Sequence, residues 1–321
     1  MVIYLKKNIR IRLIQPQMNK LIRQAFTLIE LLVVIAIIGI LSGLIVVSMS
    51  GVTQKASIAK AQVFSNSLRN SLMLNLVSEW KFDTSILTDR STINADVVDT
   101  WGGVNNGTIP ASPSIPTTKT SSNCVSGSCL SFDGGDYISG ANNLSLTATP
   151  ISISAWVNFT DFNTGNQNPR IFEIADNTYD IQIIRDSATS SFTTKHNEYQ
   201  LLTTGTRWST PVVGTWYHLV VVFNAATDTT LLYVNGDSQA SNGLSNIGAG
   251  NQVNKFYMGA RSDLVESAFL KGRLDDVRMY NAAIPTSQIK EQYYVGLNNM
   301  LNDGSISKEN YLSRINLITN E

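Results

Sequence analysis

Residues 26 to 47 read FTLIELLVVIAIIGILSGLIVV, and no other part of the 321-residue chain limits its options as tightly. About 20 consecutive apolar residues, at ~1.5 Å each along a helix, span the hydrocarbon core of a bilayer. The stretch is therefore predicted to cross a membrane as one helix. Its single charge is Glu30, close to its start. A carboxylate costs about 2.5–3.5 kcal/mol at the centre of an inserted helix and less near the end, so an acid kept here points to function rather than to packing. Gly39, Ser42 and Gly43 break the apolar run; such residues allow close helix approach and also weaken the helix.

The formal net charge of zero hides an asymmetry. Lys6, Lys7, Arg10, Arg12, Lys20 and Arg23 all precede Phe26, and no acid does. The chain from Phe26 onward holds 18 bases against 24 acids, a net charge of about −6. A basic leader stays on the cytoplasmic side by the positive-inside rule, which sends everything after Val47 outward. A mildly acidic body lacks the positive footprint of phosphate binding, so no nucleic-acid partner is expected. The flank Lys20-Leu21-Ile22-Arg23-Gln24-Ala25 followed by Phe26-Thr27-Leu28-Ile29-Glu30 resembles the cleavage and methylation site of type IV prepilins, with Ala25 where that site usually has Gly. The resemblance implies that a prepilin peptidase cuts between Ala25 and Phe26, that the new amine of Phe26 is methylated, and that Glu30 pairs with that amine on a neighbouring subunit. Residues 1–25 are then a leader, with Met18 as an alternative start. Pilins commonly carry a proline where Val47 stands.

From Gly51 to Val77 polar and small apolar residues alternate without proline, as in a helix leaving lipid. Phe64, Leu68, Leu72 and Leu76 mark one face and Val52, Ala56, Ala59 and Val63 another, so this helix has two partners to satisfy. Continuous from residue 26 to 77, it would extend roughly 78 Å at ~1.5 Å per residue.

Beyond Glu79 the pattern is β. Residues 151–157 alternate strictly, and 170–175, 179–185, 216–223, 230–234 and 256–259 are short runs rich in Val, Ile and aromatics. Asn235-Gly236 is a hairpin turn. Many short strands with Gly, Asn and Ser turns predict an antiparallel sandwich. Five segments carry a second resemblance: Ser78–Asp83, Trp101–Thr108, Leu130–Gly134 with Asp136-Tyr137, Gly214–Leu219 leading to Leu232–Gly236, and Lys271–Tyr280. In this order they resemble a laminin-G-like, concanavalin A-like jelly roll over residues 78–296. Pro285–Tyr294 reads as a short helix, and the 297–321 tail holds room for another over residues 308–317.

The chemistry is sparse. Cys124 and Cys129 could form a metal pair or a redox couple, but C-x4-C is looser than C-x-x-C and has no second pair to complete a zinc site. Outside the cytoplasm a small disulfide loop is the expectation. Glycosidases of this fold resemble Glu-x-Asp-x-Glu, and no such motif occurs; Glu173 and Asp176, three apart, would face opposite sides of a strand. His218 and His196 have no ligand or triad spacing around them, so no catalytic residue is expected. Laminin-G-like modules often bind Ca²⁺, which the resemblance extends to Asp133 and Asp136 and to Asp275 or Asp276; turn and strand-pinning roles explain the same acids equally well. Among the tryptophans, Trp156 and Trp216 read as core, and Trp208, in a Gly/Thr-rich loop, as a ligand contact.

Together these features describe a pilin-like surface subunit with pilin-like, prepilin-peptidase and membrane partners, displaying a jelly roll that binds a glycan or a protein. A non-polymerising anchored binder and a tethered glycan hydrolase are the alternatives.

Overall fold

The computed structural model describes residues 27–42, 75–83, 96–110, 115–141, 150–161, 168–175, 180–186, 191–196, 199–203, 211–224, 227, 229–243, 255–264 and 268–319. The chain divides into two compact units, Met1–Ser57 and Ile58–Glu321.

In the first unit, residues 28–42 form helix α1. It is apolar all round, and its large side chains are open, from Val34 at 44% to Leu28 at 81%. A helix that is apolar on every side is one that a protein core or a membrane buries. Among the described residues no helix is long and apolar enough to cross a membrane; the remainder of the 26–77 stretch up to residue 74 lies outside them. Leu76 and Val77, predicted to close that helix, belong to a strand instead.

The described residues of the second unit form sixteen strands: β1 Leu76–Trp80, β2 Asp96–Val97, β3 Gly107–Thr108, β4 Thr117–Thr120, β5 Ser128–Asp133, β6 Ile138–Ala141, β7 Ile151–Phe159, β8 Arg170–Ala175, β9 Asp180–Asp186, β10 Ser191–His196, β11 Tyr199–Thr203, β12 Trp216–Asn224, β13 Thr229–Val234, β14 Asp237–Gly243, β15 Lys255–Met258 and β16 Lys271–Tyr280. Helices α2 Thr286–Asn302 and α3 Lys308–Thr319 come after them. The strands pair antiparallel into two sheets, ordered β14-β13-β12-β7-β16-β5-β4 with β1 also on β16, and β11-β10-β9-β8-β15-β6-β3-β2.

The inner faces meet in one core. Ile153, Ala155, Val157 and Phe159 of β7 and Leu219, Val221 and Phe223 of β12 face Phe172, Ile174, Ile183, Phe192, Phe256 and Met258 of the second sheet. Trp80 joins them, its ring 4.9 Å from that of Phe256, while its indole N–H donates to the Asn105 carbonyl at 3.0 Å. A side chain at Gly140 would overlap the Phe256 ring, so the glycine makes room for it.

Strand β16 organises the first sheet. Its Lys271–Leu274 half pairs with β5 and its Val277–Tyr280 end with β1. Between them the register is irregular and Asp276 stands at φ 46°. Leu76 lies opposite Tyr280, and Asn75 accepts a hydrogen bond from the Asn281 N–H at 2.9 Å, so the chain comes in beside Tyr280. At ~3.3 Å per residue the opposite end of β16, where Lys271 faces Asp133, is roughly 30 Å away.

Helix α2 runs eight residues past its expected end at Tyr294. Tyr293, Leu297 and Met300 are buried, and Gly296 lies against Trp156 where any side chain would overlap the indole. Packing on the sheet thus extends the helix beyond what local pattern suggests.

Candidate functional site

At the N-terminus, Thr27 and Glu30 form a reciprocal cap on α1. Glu30 Oε2 accepts the Thr27 N–H and hydroxyl, both at 2.9 Å, and the Glu30 N–H donates to Thr27 Oγ1 at 3.2 Å. This is a capping box, which satisfies donors that a helix start leaves open. Sequence reasoning assigns Glu30 an intermolecular role and misses this local one, although Thr-x-x-Glu before an apolar run is its signature. Ala25 and Phe26, at the expected cut, lie outside the described residues.

The four acids expected to hold calcium do not come together. Asp136 Oδ2 accepts the Asp133 N–H at 2.8 Å and Asp133 Oδ1 accepts the Gly135 N–H at 3.0 Å, closing the turn between β5 and β6. Asp275 stands four residues along β16 from Lys271, the partner of Asp133, roughly 13 Å away at ~3.3 Å per residue. Its Oδ2 accepts the N–H groups of Val125 (2.8 Å) and Ser126 (3.0 Å), and Oδ1 that of Asp276 (2.8 Å). Burial, then the neighbouring Asp276 charge, pushes the Asp275 carboxyl well above the usual carboxylate range, against the pull of those three N–H groups. Asp276 pairs with Arg278 at 3.2 Å. The second pair therefore pins a loop and a strand irregularity rather than facing a common ion.

The loop that Asp275 pins is the disulfide loop: Cys124 and Cys129 are bonded, with Cα atoms 5.4 Å apart. With Asp275 they make the one close group of three metal-type ligands among the described residues, all buried. The disulfide occupies both sulfurs.

One face of the sandwich is sealed. The outer side of the first sheet carries Trp156, His218, Val220, Val222, Tyr233 and Tyr280, and α2 lies on it. Tyr293 stacks on Trp156, and Gln292 donates to the Tyr280 hydroxyl at 3.0 Å. His218, 1% exposed, has its ring 5.1 Å from Trp156. Burial, with the Arg278 charge adding to it and Gln292 opposing, drives its pKa down to about 3. A neutral imidazole packed this way fills the layer.

The second sheet leaves a shelf on its outer side. Consecutive register partners Thr108, Ser139, Tyr257 and Glu173 put one row of side chains across β3, β6, β15 and β8, opposite the face that Phe256 and Met258 fill. Thr108 is exposed and Ser139 and Tyr257 are half-buried. Tyr137, two residues before Ser139, packs its ring 6.2 Å from Phe269. Partial burial, then the Glu173 charge, then Tyr137 raise the Tyr257 phenol above its ordinary value. Glu173 is fully buried: Oε1 accepts the Ser262 N–H at 3.0 Å and Oε2 faces Arg170 Nε at 3.5 Å. Residues 259–264 are thereby tied down as a wall beside the tyrosines. Gly259 at φ 81°, with no room for a side chain against Phe132, starts that wall.

Residues 132–290 match the concanavalin A-like lectin/glucanases superfamily, and residues 22–46 match the prokaryotic N-terminal methylation motif. The chain joins a methylation motif to a concanavalin A-like domain. Domain 4 of the extracellular GH43 arabinanase AbnA from Geobacillus stearothermophilus, solved with arabinotriose, is similar to this concanavalin A-like domain in fold. It is 19% identical with a TM-score of 0.53, over 68% of this chain and 97% of that one. Trypanosoma rangeli sialidase, solved as its covalent intermediate with 2,3-difluorosialic acid, aligns at 13% identity and TM-score 0.47, over 68% of this chain and 32% of its own. No curated protein matches this chain.

Trp208, expected as a ligand contact, and Asp176, weighed as a carboxylate partner of Glu173, lie outside the described residues of the concanavalin A-like domain. Trp156 and Trp216 are buried, as their strands imply. The Thr108–Ser139–Tyr257 row escapes sequence reasoning because β3 and β6 are two and four residues long and carry glycines. The FDGGDY segment that ends in Tyr137 is the available signal.

Proposed function

We propose that this chain is a type IV pilin-like surface subunit whose concanavalin A-like domain serves as a binding, adhesive head. The observation that carries the reading is the methylation motif over residues 22–46, of which residues 28–42 form a capped helix whose one charge is Glu30. A prepilin peptidase removes residues 1–25, the segment from Phe26 inserts in the membrane, and neighbouring copies assemble through it with Glu30 meeting a partner's terminal amine. In low dielectric a paired charge offsets desolvation that an unpaired one would bear, which fixes one axial register. The head takes a carbohydrate and performs no chemistry on it: Glu173, the described carboxylate of the shelf, is committed to Arg170 and Ser262. A calcium ion is proposed at the Asp133–Asp136 turn.

N-terminal sequencing of the mature protein tests this reading. A terminus at a methylated Phe26 is expected; an intact Met1 or Met18 terminus overturns it. Sugar release from a glycan panel would favour the hydrolase instead.

A further inference from the structure

We infer that the shelf on the second sheet binds an uncharged saccharide, with a sugar ring against Tyr257 and Tyr137 and its hydroxyls on Ser139 and Thr108. The inference rests on the carbohydrate-binding reading above and gives it a place and a ligand class.

Three features lead there. Helix α2 covers the outer side of the first sheet from Tyr233 to Trp156, so a ligand lying across that sheet would have to displace a buried helix. The second sheet instead offers two half-buried tyrosines beside hydroxyl groups held in fixed register. A sugar presents apolar C–H faces and hydroxyl edges, and a floor of aromatic rings interleaved with hydroxyls is complementary to both. The shelf is also rigid before any ligand arrives. Its floor is a hydrogen-bonded sheet, and its wall is fixed by the Ser262–Glu173 bond and by Leu270 N–H to Gly259 O at 2.8 Å. Preorganisation limits the ordering cost of binding.

Charge decides the class. A polyanion needs several cations gathered at one surface. Among the described side chains here, Arg170 is buried against Glu173, Arg261 pairs with Asp263 at 3.1 Å, and exposed Lys255 lies two residues along β15 from Tyr257; Lys195 stands on the same row but three strands away from Tyr257. A lone ammonium can donate to a sugar hydroxyl, and it falls short of the cluster of cations that a polyanion needs.

The test titrates the full chain in detergent with neutral hexo- and pento-oligosaccharides and, separately, with uronate, sialylated and sulfated ones. Variants Tyr257→Ala, Tyr257→Phe, Tyr137→Ala and Ser139→Ala are compared with Trp101→Ala, on a loop beside β1, as a control. A neutral glycan should bind with little dependence on salt. Losing the Tyr257 ring should weaken it about tenfold, the measure of one aromatic contact; Tyr257→Phe keeps the ring and should keep most of the affinity, which separates stacking from misfolding. Unchanged neutral-glycan binding in Tyr257→Ala and Tyr137→Ala chains that melt like the parent overturns the shelf while leaving the carbohydrate reading intact. Binding confined to acidic glycans and lost with salt overturns the uncharged class. No saccharide binding at all overturns both readings.

Discussion

The Tyr293 ring lies 5.6 Å from the Trp156 ring with an 18° angle between planes, and this stack seats α2 on the first sheet. Both side chains are at most 1% exposed. Tyr293→Ala should therefore cost about 3–5 kcal/mol, the range for truncating a buried aromatic. Urea unfolding of the variant and parent measures it, and a loss below ~1 kcal/mol would mean that the helix is held elsewhere. Gly296→Leu should be comparably disruptive, since its side chain would overlap Trp156.

Two buried groups give opposite pH dependences. His218 has its pKa lowered to about 3 from 6.5, so the native state resists its proton: stability is full above pH 6.5 and falls as pH drops toward 3. Relative to His218→Phe, the parent should lose about 1.4 kcal/mol per pH unit across that window. Burial raises Glu291 to about 7 from 4.5, so its stability is full below pH 4.5 and falls as pH rises toward 7. Relative to Glu291→Gln the parent should therefore weaken with rising pH. Melting temperatures of the three proteins between pH 4 and 7.5 read both slopes.

Glu30→Ala should leave cleavage after Ala25 and folding of the concanavalin A-like domain intact while impairing assembly. Thr27→Ala removes only the local cap, worth about 1 kcal/mol, and should assemble nearly as well as the parent. Filament recovery from cells expressing each variant is the measurement. Normal assembly by Glu30→Ala would sink the register role and leave Glu30 as a helix cap.

The disulfide loop and Asp275 act together. Closing so short a loop contributes about 2 kcal/mol in the chain-entropy model, so Cys129→Ser should lose about that much. Asp275→Ala should cost more, because it strips the buried Val125 N–H, at about 1–3 kcal/mol, and the half-buried Ser126 N–H of their acceptor. Equilibrium denaturation of both variants orders the two effects.

Calcium at the Asp133–Asp136 turn would be weak, with two carboxylates against the 6–8 oxygens the ion prefers, in the ~10⁻⁴–10⁻³ M range. Calorimetric titration of the parent and of Asp133→Asn should then show a millimolar site lost in the variant. A micromolar site surviving in Asp133→Asn places the ion elsewhere.

Much of this architecture is legible in the amino-acid sequence. The strands at 151–159, 170–175, 216–224 and 229–234 announce themselves through alternation and β-branched residues, and the Asn235-Gly236 hairpin through its turn chemistry, with φ of 55° and 87°. Strands such as Gly107–Thr108 and Ile138–Ala141 do not, because they exist by pairing with neighbours and have no pattern of their own. Leu76 continues a helical stripe in sequence, but it and Val77 are captured by the edge of β16 that β5 leaves unpaired. Asp133, Asp136, Asp275 and Asp276 look alike as acids, yet strand register sends them to different places.

By itself the sequence determined the two-part plan: an apolar stretch with one acid behind a basic leader, then a β-sandwich. Both arise from local composition and periodicity, which the chain carries without reference to its fold. Only the tertiary structure decided which sandwich face α2 seals and which described residues line the other. That outcome depends on where α2 returns, on a glycine that lets it reach Trp156, and on the register that sets Ser139 beside Tyr257, all relations between residues distant in the chain.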